Sequence, residues 1–219
     1  METREVTVPV VDGGLPADVI VPGGAVGVVL FAHGSGSSRH SPRNVAVAHQ
    51  LNDRALATVL VDLLTPEEDV RDSVTAELRF DIGMLAERLA AIVDWMAAEP
   101  TLGRLPIGLF GASTGAAAAL VAAAARPDQV AAVVSRGGRP DLAGSSLSAV
   151  RAPTLLVVGG LDEEVIVLNE QARDALGDVA ELRIVPGATH LFEEPGALDQ
   201  VAEQAGTWFA SHLRTPHPA

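Results

Sequence analysis

Apolar positions along the chain fall into short β-branched runs that alternate with longer stretches of helical spacing. Runs such as Leu155–Val158 are hydrophobic at every position, which is typical of strands buried on both faces of a sheet. The alternation therefore predicts the α/β fold class, with a mostly parallel sheet and helices on both of its faces. The predicted strands are Glu5–Val8, Asp18–Val21, Val26–His33, Thr58–Asp62, Ile107–Gly111, Val130–Ser135, Thr154–Gly159 and Glu181–Val185.

The helical segments lie between these strands. One begins at Ser41-Pro42, since proline suits the first helical position and the apolar residues that follow are spaced for one buried face. The others cover Phe80–Ala98, Thr114–Ala125, Val165–Leu176 and Pro195–Leu213. Segment 63–77 is the longest stretch without a predicted element. The first two strands are joined by a Gly-rich turn, which predicts an antiparallel edge.

Length and composition indicate a single domain. The chain has 219 residues, 48% of them hydrophobic, which is enough for one core of ordinary size. It contains no internal repeat and no low-complexity linker. We expect one domain over residues 1–214 and a disordered tail over residues 215–219.

Two residue types are missing from the sequence, and each absence excludes a class of chemistry. The 15 basic residues are all arginine, so Schiff-base catalysis and the phosphate-binding lysine of a P-loop are excluded. There is no cysteine, which excludes disulfides, thiolate nucleophiles and cysteine-based metal sites. No metal-ligand spacing of the H-E-x-x-H kind is present either, so we expect neither a metal nor another cofactor.

Charge and the first residues bear on partners and location. The formal net charge is −13, and so acidic a surface repels nucleic-acid phosphates and anionic lipids. The start, Met1–Glu5, lacks the basic and apolar regions of a signal peptide, and the absence of cysteine fits a reducing compartment. We expect a cytoplasmic protein that binds neither nucleic acid nor membranes.

The strongest chemical signal is the sequence Gly111-Ala112-Ser113-Thr114-Gly115, which matches G-x-S-x-G. It stands directly after a predicted strand and directly before a predicted helix, as a nucleophile elbow requires. Small residues on either side of the serine let strand and helix approach each other. Ser113 is the candidate nucleophile, and the alternative is a turn without chemistry.

A base and an acid follow in the chain order that serine α/β-hydrolases use. Asp162 comes after the strand Thr154–Gly159, and His190 lies on the loop after the strand Glu181–Val185. Because the carboxyl ends of parallel strands form one crevice, we expect Ser113, Asp162 and His190 to converge there. Asp162 could instead be a helix N-cap, with Glu163 or Glu164 as the acid.

Acyl transfer also needs hydrogen-bond donors where negative charge develops. The Gly-rich segment 33–39 follows the third predicted strand and can turn backbone amides inward. We assign the amides of Ser35 and Thr114 to an oxyanion hole and expect His33 to brace this loop. A phosphate cradle is the weaker alternative, since neither G-x-G-x-x-G nor a G-K-[ST] ending occurs.

The run His33–Gly36, the elbow, Asp162 and the run Gly187–His190 together resemble the dienelactone-hydrolase-like α/β-hydrolases over nearly the whole chain. The resemblance implies an eight-stranded sheet, a cofactor-free mechanism and carboxylic-ester substrates. One departure matters, because dienelactone hydrolase itself uses a cysteine nucleophile where this chain has Ser113. The dienelactone substrate is therefore not carried over, and a serine carboxylesterase is expected.

The surroundings of the site suggest an open cleft. Lid domains of this fold enter after the sixth strand, where only residues 136–152 are available, so no cap domain is expected. Segment 63–77 is expected to border the cleft. Four arginines could bind a carboxylate of the substrate, with Arg39 and Arg136 the first candidates. The alternative is that they pair with Asp62, Asp81 or Asp141 and fix loops. The four are Arg39, Arg79, Arg136 and Arg139.

The sequence thus predicts a serine hydrolase that cleaves short-chain, aromatic or anionic carboxylic esters through an acyl-enzyme on Ser113. Acyl transfer to another acceptor, perhydrolysis and amide hydrolysis use the same fold and stay open as alternatives. A binding module without catalysis is less favoured, because it needs none of the three site residues. The expected partner is a small-molecule ester, and the protein is a monomer or a homodimer.

Overall fold

The structure is a computed structural model that describes residues 2–11 and 13–213. The predicted tail over residues 215–219 lies outside the described residues. Within them, no helix combines the length and the apolar character needed to cross a membrane.

Eight strands form one sheet in the order β1-β2-β4-β3-β5-β6-β7-β8. β1 pairs with β2, and β2 with β4, in antiparallel fashion, whereas all other neighbours are parallel. The predicted fold class, the strands and the antiparallel edge are confirmed, although β1 and β2 are both longer than predicted. The strands are β1 Glu2–Val10, β2 Gly13–Val21, β3 Gly27–Ala32, β4 Leu56–Val61, β5 Ile107–Ala112, β6 Val130–Arg136, β7 Thr154–Gly159 and β8 Ala180–Val185.

Helices cover both faces of the sheet, as predicted. α1 and α6 pack on one face against residues such as Phe31 and Phe110. The buried residues of α3, α4 and α5 form the core of the other face. Each central strand is buried along its whole length, since it has a helix layer on either side. The helices are α1 Pro42–Asn52, α2 Pro66–Thr75, α3 Ile82–Ala98, α4 Thr114–Ala125, α5 Glu163–Leu176 and α6 Ala197–His212.

Helix α2 corrects the sequence analysis, which left residues 63–77 without an element. Thr65 caps this helix: its side chain accepts from the Glu68 amide, and the Glu68 side chain accepts from the Thr65 amide. Pro66 occupies the first turn, where its missing N–H costs nothing. This capping box, Thr-x-x-Glu, was present in the sequence as a start signal. The helix is short and exposes Val70 and Val74, so its apolar spacing gave little sign of a buried face.

The connection from β6 to β7 contains no cap domain in the described part of the chain. It is a 3₁₀ segment, Pro140–Ala149, that contacts α4 and α5. Its apolar residues Ala143 and Leu147 are buried in the core on that face. The carboxyl edge of the sheet is therefore not covered by an inserted domain.

Candidate active site

Ser113 lies in a strained elbow between β5 and α4. Its φ is +50° and its ψ is −122°, a combination that a residue with a side chain rarely adopts. The neighbouring glycines permit the turn. A Cβ on Gly111 would lie 2.4 Å from the Ala116 Cα, and one on Gly115 would lie 2.4 Å from the Ala32 carbonyl oxygen. No larger residue fits at either position, so the G-x-S-x-G pattern follows from close packing around the serine.

Asp162 and His190 are in direct contact, with the carboxylate Oδ2 2.6 Å from the imidazole Nδ1. Asp162 does occupy the N-cap position of α5, but its side chain makes no capping hydrogen bond. The rival acids, Glu163 and Glu164, are exposed in the first turn of α5. If Nδ1–H donates to the carboxylate, Nε2 keeps its lone pair and can accept a proton.

Ser113 and His190 lie on either side of the end of β6. The Ser113 amide donates to the Arg136 carbonyl at 3.3 Å, and the next residue, Gly137, packs against the His190 ring. A Cβ on Gly137 would be 3.6 Å from the His190 Cε1. Within the described residues, the Ser113 hydroxyl makes no hydrogen bond to His190. Such a bond commonly forms only when substrate is bound.

The predicted oxyanion loop lies against the nucleophile. A Cβ on Gly34 would be 3.1 Å from the Ser113 Cβ. The Ser35 amide, one of the two assigned donors, already donates to the Thr114 hydroxyl at 2.9 Å. In the free protein this amide is therefore already bonded to a side chain of the elbow.

His33 holds the oxyanion loop in place through two hydrogen-bond contacts, as expected from the sequence. Its Nδ1 lies 2.9 Å from the Gly34 carbonyl oxygen, and its Nε2 accepts from the Leu63 amide at 3.1 Å. The two contacts fix the neutral tautomer with the proton on Nδ1. Burial also lowers the pKa of His33, since it disfavours the imidazolium form.

A cleft of about 720 Å³ adjoins the oxyanion loop. Loop 36–42 forms one wall, and the start of α2 forms another. Segment 63–77, which contains helix α2 and not the loop that was expected, contributes to the lining of this cleft. Ser113, Asp162 and His190 do not line it, so the expectation that the segment borders the catalytic residues stays a prediction. The lining is rich in hydroxyl and charged groups, including Ser37, His40 and Asp69.

Three of the four candidate arginines have carboxylate partners. Arg39 contacts the carboxylates of Asp62, Asp18 and Glu5, at 2.5, 3.3 and 2.8 Å. Arg139 pairs with Asp141, as one alternative predicted.

Arg79 pairs with Asp72 at 2.6 Å and not with Asp81. Asp81 instead caps α3 by accepting from the Met84 amide. Asp72 was not among the three carboxylates named from the sequence as partners for the arginines. Arg79 and Asp72 join the 3₁₀ turn after α2 to that helix, and Arg79 also lines the cleft beside the oxyanion loop.

Arg136 differs from the other three arginines. Arg136 is only 7% exposed, and in the described part of the chain neither its Nε nor its Nη1 has a hydrogen-bond partner. Burial, together with repulsion from Arg43, lowers the pKa of Arg136 to about 10. The guanidinium is still protonated at neutral pH, so a buried positive charge lies here with no carboxylate partner from residues 2–11 or 13–213.

A serine elbow at the carboxyl edge of such a sheet, with an Asp–His pair on the loops after β7 and β8, defines an α/β-hydrolase. The particular family follows from residues 24–212, which match the model of the dienelactone hydrolase family, and the chain belongs to that family. The predicted resemblance is confirmed.

Solved structures of related proteins agree. A dienelactone hydrolase from Anabaena variabilis is 56% identical, with a TM-score of 0.96 over 97% of this chain and 99% of that one. Est1E from Butyrivibrio proteoclasticus is 17% identical with a TM-score of 0.78 over 95% of this chain and 98% of that one, a likeness of fold alone.

Curated relatives carry a different description. Proteins from two strains of Mycobacterium tuberculosis, each named "Putative phosphoribosyl transferase", are 54% identical over 218 residues. The match covers 99% of this chain but 48% of each relative. The chain thus spans about half the length of the curated relatives it matches.

Proposed function

We propose that this hydrolase cleaves carboxylic esters through an acyl-enzyme on Ser113, with His190 as general base and Asp162 as the acid that orients it. The single observation that carries the proposal is the 2.6 Å contact between Asp162 and His190, beside a serine held at positive φ. A carboxylate used only for structure would cap α5 from this position, and Asp162 does not.

The parts suggest the order of events. The Ser113 Oγ attacks the ester carbonyl carbon while the His190 Nε2 takes its proton. The negative oxygen of the tetrahedral intermediate accepts hydrogen bonds from the amides of Ser35 and Thr114. His190 then protonates the leaving alcohol, and water attacks the acyl-enzyme in the same way to release the acid. Asp162 holds the imidazole orientation and stabilises its positive charge throughout.

The name of the longer relatives does not change this proposal. Those proteins are about twice as long as the matched region, which in this chain carries the elbow and the Asp–His pair. We attribute any phosphoribosyl transfer to the part of the relatives that has no counterpart here.

Labelling with a fluorophosphonate tests the proposal directly. Such a reagent phosphonylates only a serine activated by a base, so we expect the label on Ser113 and on none of the other serines. Peptide mass mapping locates the label, and the rate of p-nitrophenyl acetate hydrolysis should fall in proportion to labelling. An unlabelled protein, or one that is labelled elsewhere and stays active, would overturn the assignment. Product analysis with added alcohol or peroxide then shows whether the acyl group is transferred to water or to another acceptor. An anilide with the same acyl group tests whether amides are hydrolysed as well.

The Thr114 side chain gives a second prediction. Thr114→Val removes the acceptor that holds the Ser35 amide in the free protein, so this donor is less well placed when the oxyanion forms. We expect kcat for p-nitrophenyl acetate to fall by about tenfold, with KM nearly unchanged. Thr114→Ser keeps the hydroxyl and serves as the control. A faster valine variant would show that the hydroxyl only competes with substrate for the amide.

A further inference from the structure

The guanidinium of Arg136 is an unexplained buried charge one strand away from the nucleophile. Arg136 pairs with Ala112 across the β5–β6 ladder, and its carbonyl accepts the Ser113 amide. Neighbouring strands lie about 4.8 Å apart, so the backbone of Arg136 adjoins the reaction centre. An ionised group without a counter-charge is costly to bury, and such groups are retained mostly where a ligand or a function uses them.

The side chain points toward α1. Successive residues of a strand face opposite sides of the sheet. Ala132 and Val134 belong to the core on the α1 and α6 face, whereas Val133 belongs to the opposite core. Arg136 lies on the same side of β6 as Ala132 and Val134 and therefore faces α1 and α6. Arg43, in the first turn of α1, lies close enough to repel it.

The start of α1 adds further groups without partners. The Arg43 Nε, a donor, and the Asn44 Oδ1, an acceptor, are buried and have no hydrogen-bond partner among the described residues. Ser41, the N-cap residue, makes no side-chain bond to the first-turn amides of the helix. The first turn of α1 has no acidic residue. The positive end of helix α1 and two guanidinium groups thus lie close together.

The available counter-charge is small. Among the described residues, the carboxylate paired with Arg43 is Glu193, at 3.4 Å, and its side chain is 65% exposed. Arg136 forms no ion pair there. The site therefore lacks about one negative charge, which a single carboxylate would supply with two oxygens for a bidentate contact.

We propose that Arg136, Arg43 and the first turn of α1 bind a carboxylate carried by the ester substrate. The inference rests on the proposed hydrolase function and narrows its substrate class to half-esters of short dicarboxylic acids. It assigns the docking role to Arg136 and not to Arg39, whose guanidinium is already committed to three carboxylates.

The first test compares monoethyl succinate with ethyl butyrate, which has the same acyl length but no charge. We expect the wild type to prefer the half-ester, as measured by proton release. Arg136→Met should lower the ratio of the two kcat/KM values by roughly 10- to 100-fold, the effect of losing a charge-assisted bidentate contact. Arg136→Lys keeps the positive charge but cannot make the bidentate contact, so its ratio of kcat/KM values should lie between those of the wild type and Arg136→Met. Arg126→Met is the control, since Arg126 pairs with Asp94 on the surface.

Thermal unfolding gives a readout that a structural role would not produce. Replacing an unpaired buried charge by an apolar side chain of similar size should raise the Tm of Arg136→Met above that of the wild type in buffer without carboxylates. Succinate should raise the Tm of the wild type and of Ser113→Ala, but not that of Arg136→Met. A lower Tm for Arg136→Met with an unchanged ester ratio would show a structural arginine and overturn the proposal.

The two proposals can fail separately. If neither ester is hydrolysed but succinate still raises the Tm through Arg136, the carboxylate site stands and the ester hydrolase does not. If both esters are hydrolysed through Ser113 at a ratio that Arg136→Met does not alter, the hydrolase stands and the carboxylate site falls.

Discussion

Alanine in place of Ser113 is expected to lower kcat/KM for p-nitrophenyl acetate by at least roughly 10⁴-fold. The remaining parts of the site still bind substrate and present the oxyanion donors, but no covalent intermediate forms. The measurement needs active-site titration or repeated purification, because a trace of wild-type enzyme would mask so large a loss. Retention of even one hundredth of the activity would mean that another group attacks the ester.

A glycine variant is the matched control for the elbow. Ser113→Gly and Ser113→Ala both lack the hydroxyl, so both should be inactive. Only glycine adopts a φ of +50° without strain, and such strain costs on the order of 1–3 kcal/mol. The glycine variant should therefore unfold at a higher temperature than the alanine variant. Equal Tm values would show that the surrounding packing, and not the backbone at Ser113, carries the strain.

Asp162→Asn is expected to lower kcat by roughly 10⁴-fold with little change in KM. The amide can present its NH₂ group to His190 Nδ1, which selects the tautomer whose Nε2 carries a proton and cannot accept one from serine. The backbone should be unchanged, because the Asp162 side chain makes no cap to α5.

Glu163→Gln and Glu164→Gln are the controls for this assignment. Both glutamates are exposed at the start of α5 and should keep activity within about twofold of the wild type. A large loss in either variant, with Asp162→Asn still active, would move the role of the acid to that glutamate. Circular dichroism of each variant excludes a loss of α5 as the cause.

The elements that the sequence predicted best are those whose burial is complete. The strands β3, β5 and β7 are apolar at nearly every position, and α4 follows an elbow whose spacing is set by sterics. Helix α2 was missed because only Asp72 of its residues is buried, so its signal was in the cap at Thr65 and not in hydrophobic spacing.

Some features of the candidate site could be predicted from the sequence and others could not. The order of Ser113, Asp162 and His190 along parallel strands predicted that they converge, because the topology brings strand ends together. The state of Arg136 could not be predicted, since its burial depends on which face of β6 it occupies and on the start of α1. The pairing of Arg79 with Asp72 was hidden for a related reason, because it requires a helix that the sequence analysis did not contain.

The short connection between β6 and β7 has a kinetic consequence. In the part of the chain that the structure describes, this connection is packed against α4 and α5, and no inserted domain covers the carboxyl edge of the sheet. Substrate entry and product escape then need no opening of a cover, a motion that limits turnover in many enzymes. For the proposed ester hydrolase we therefore expect no interfacial activation: its rate should depend on dissolved substrate and should not rise abruptly when an ester passes its solubility limit.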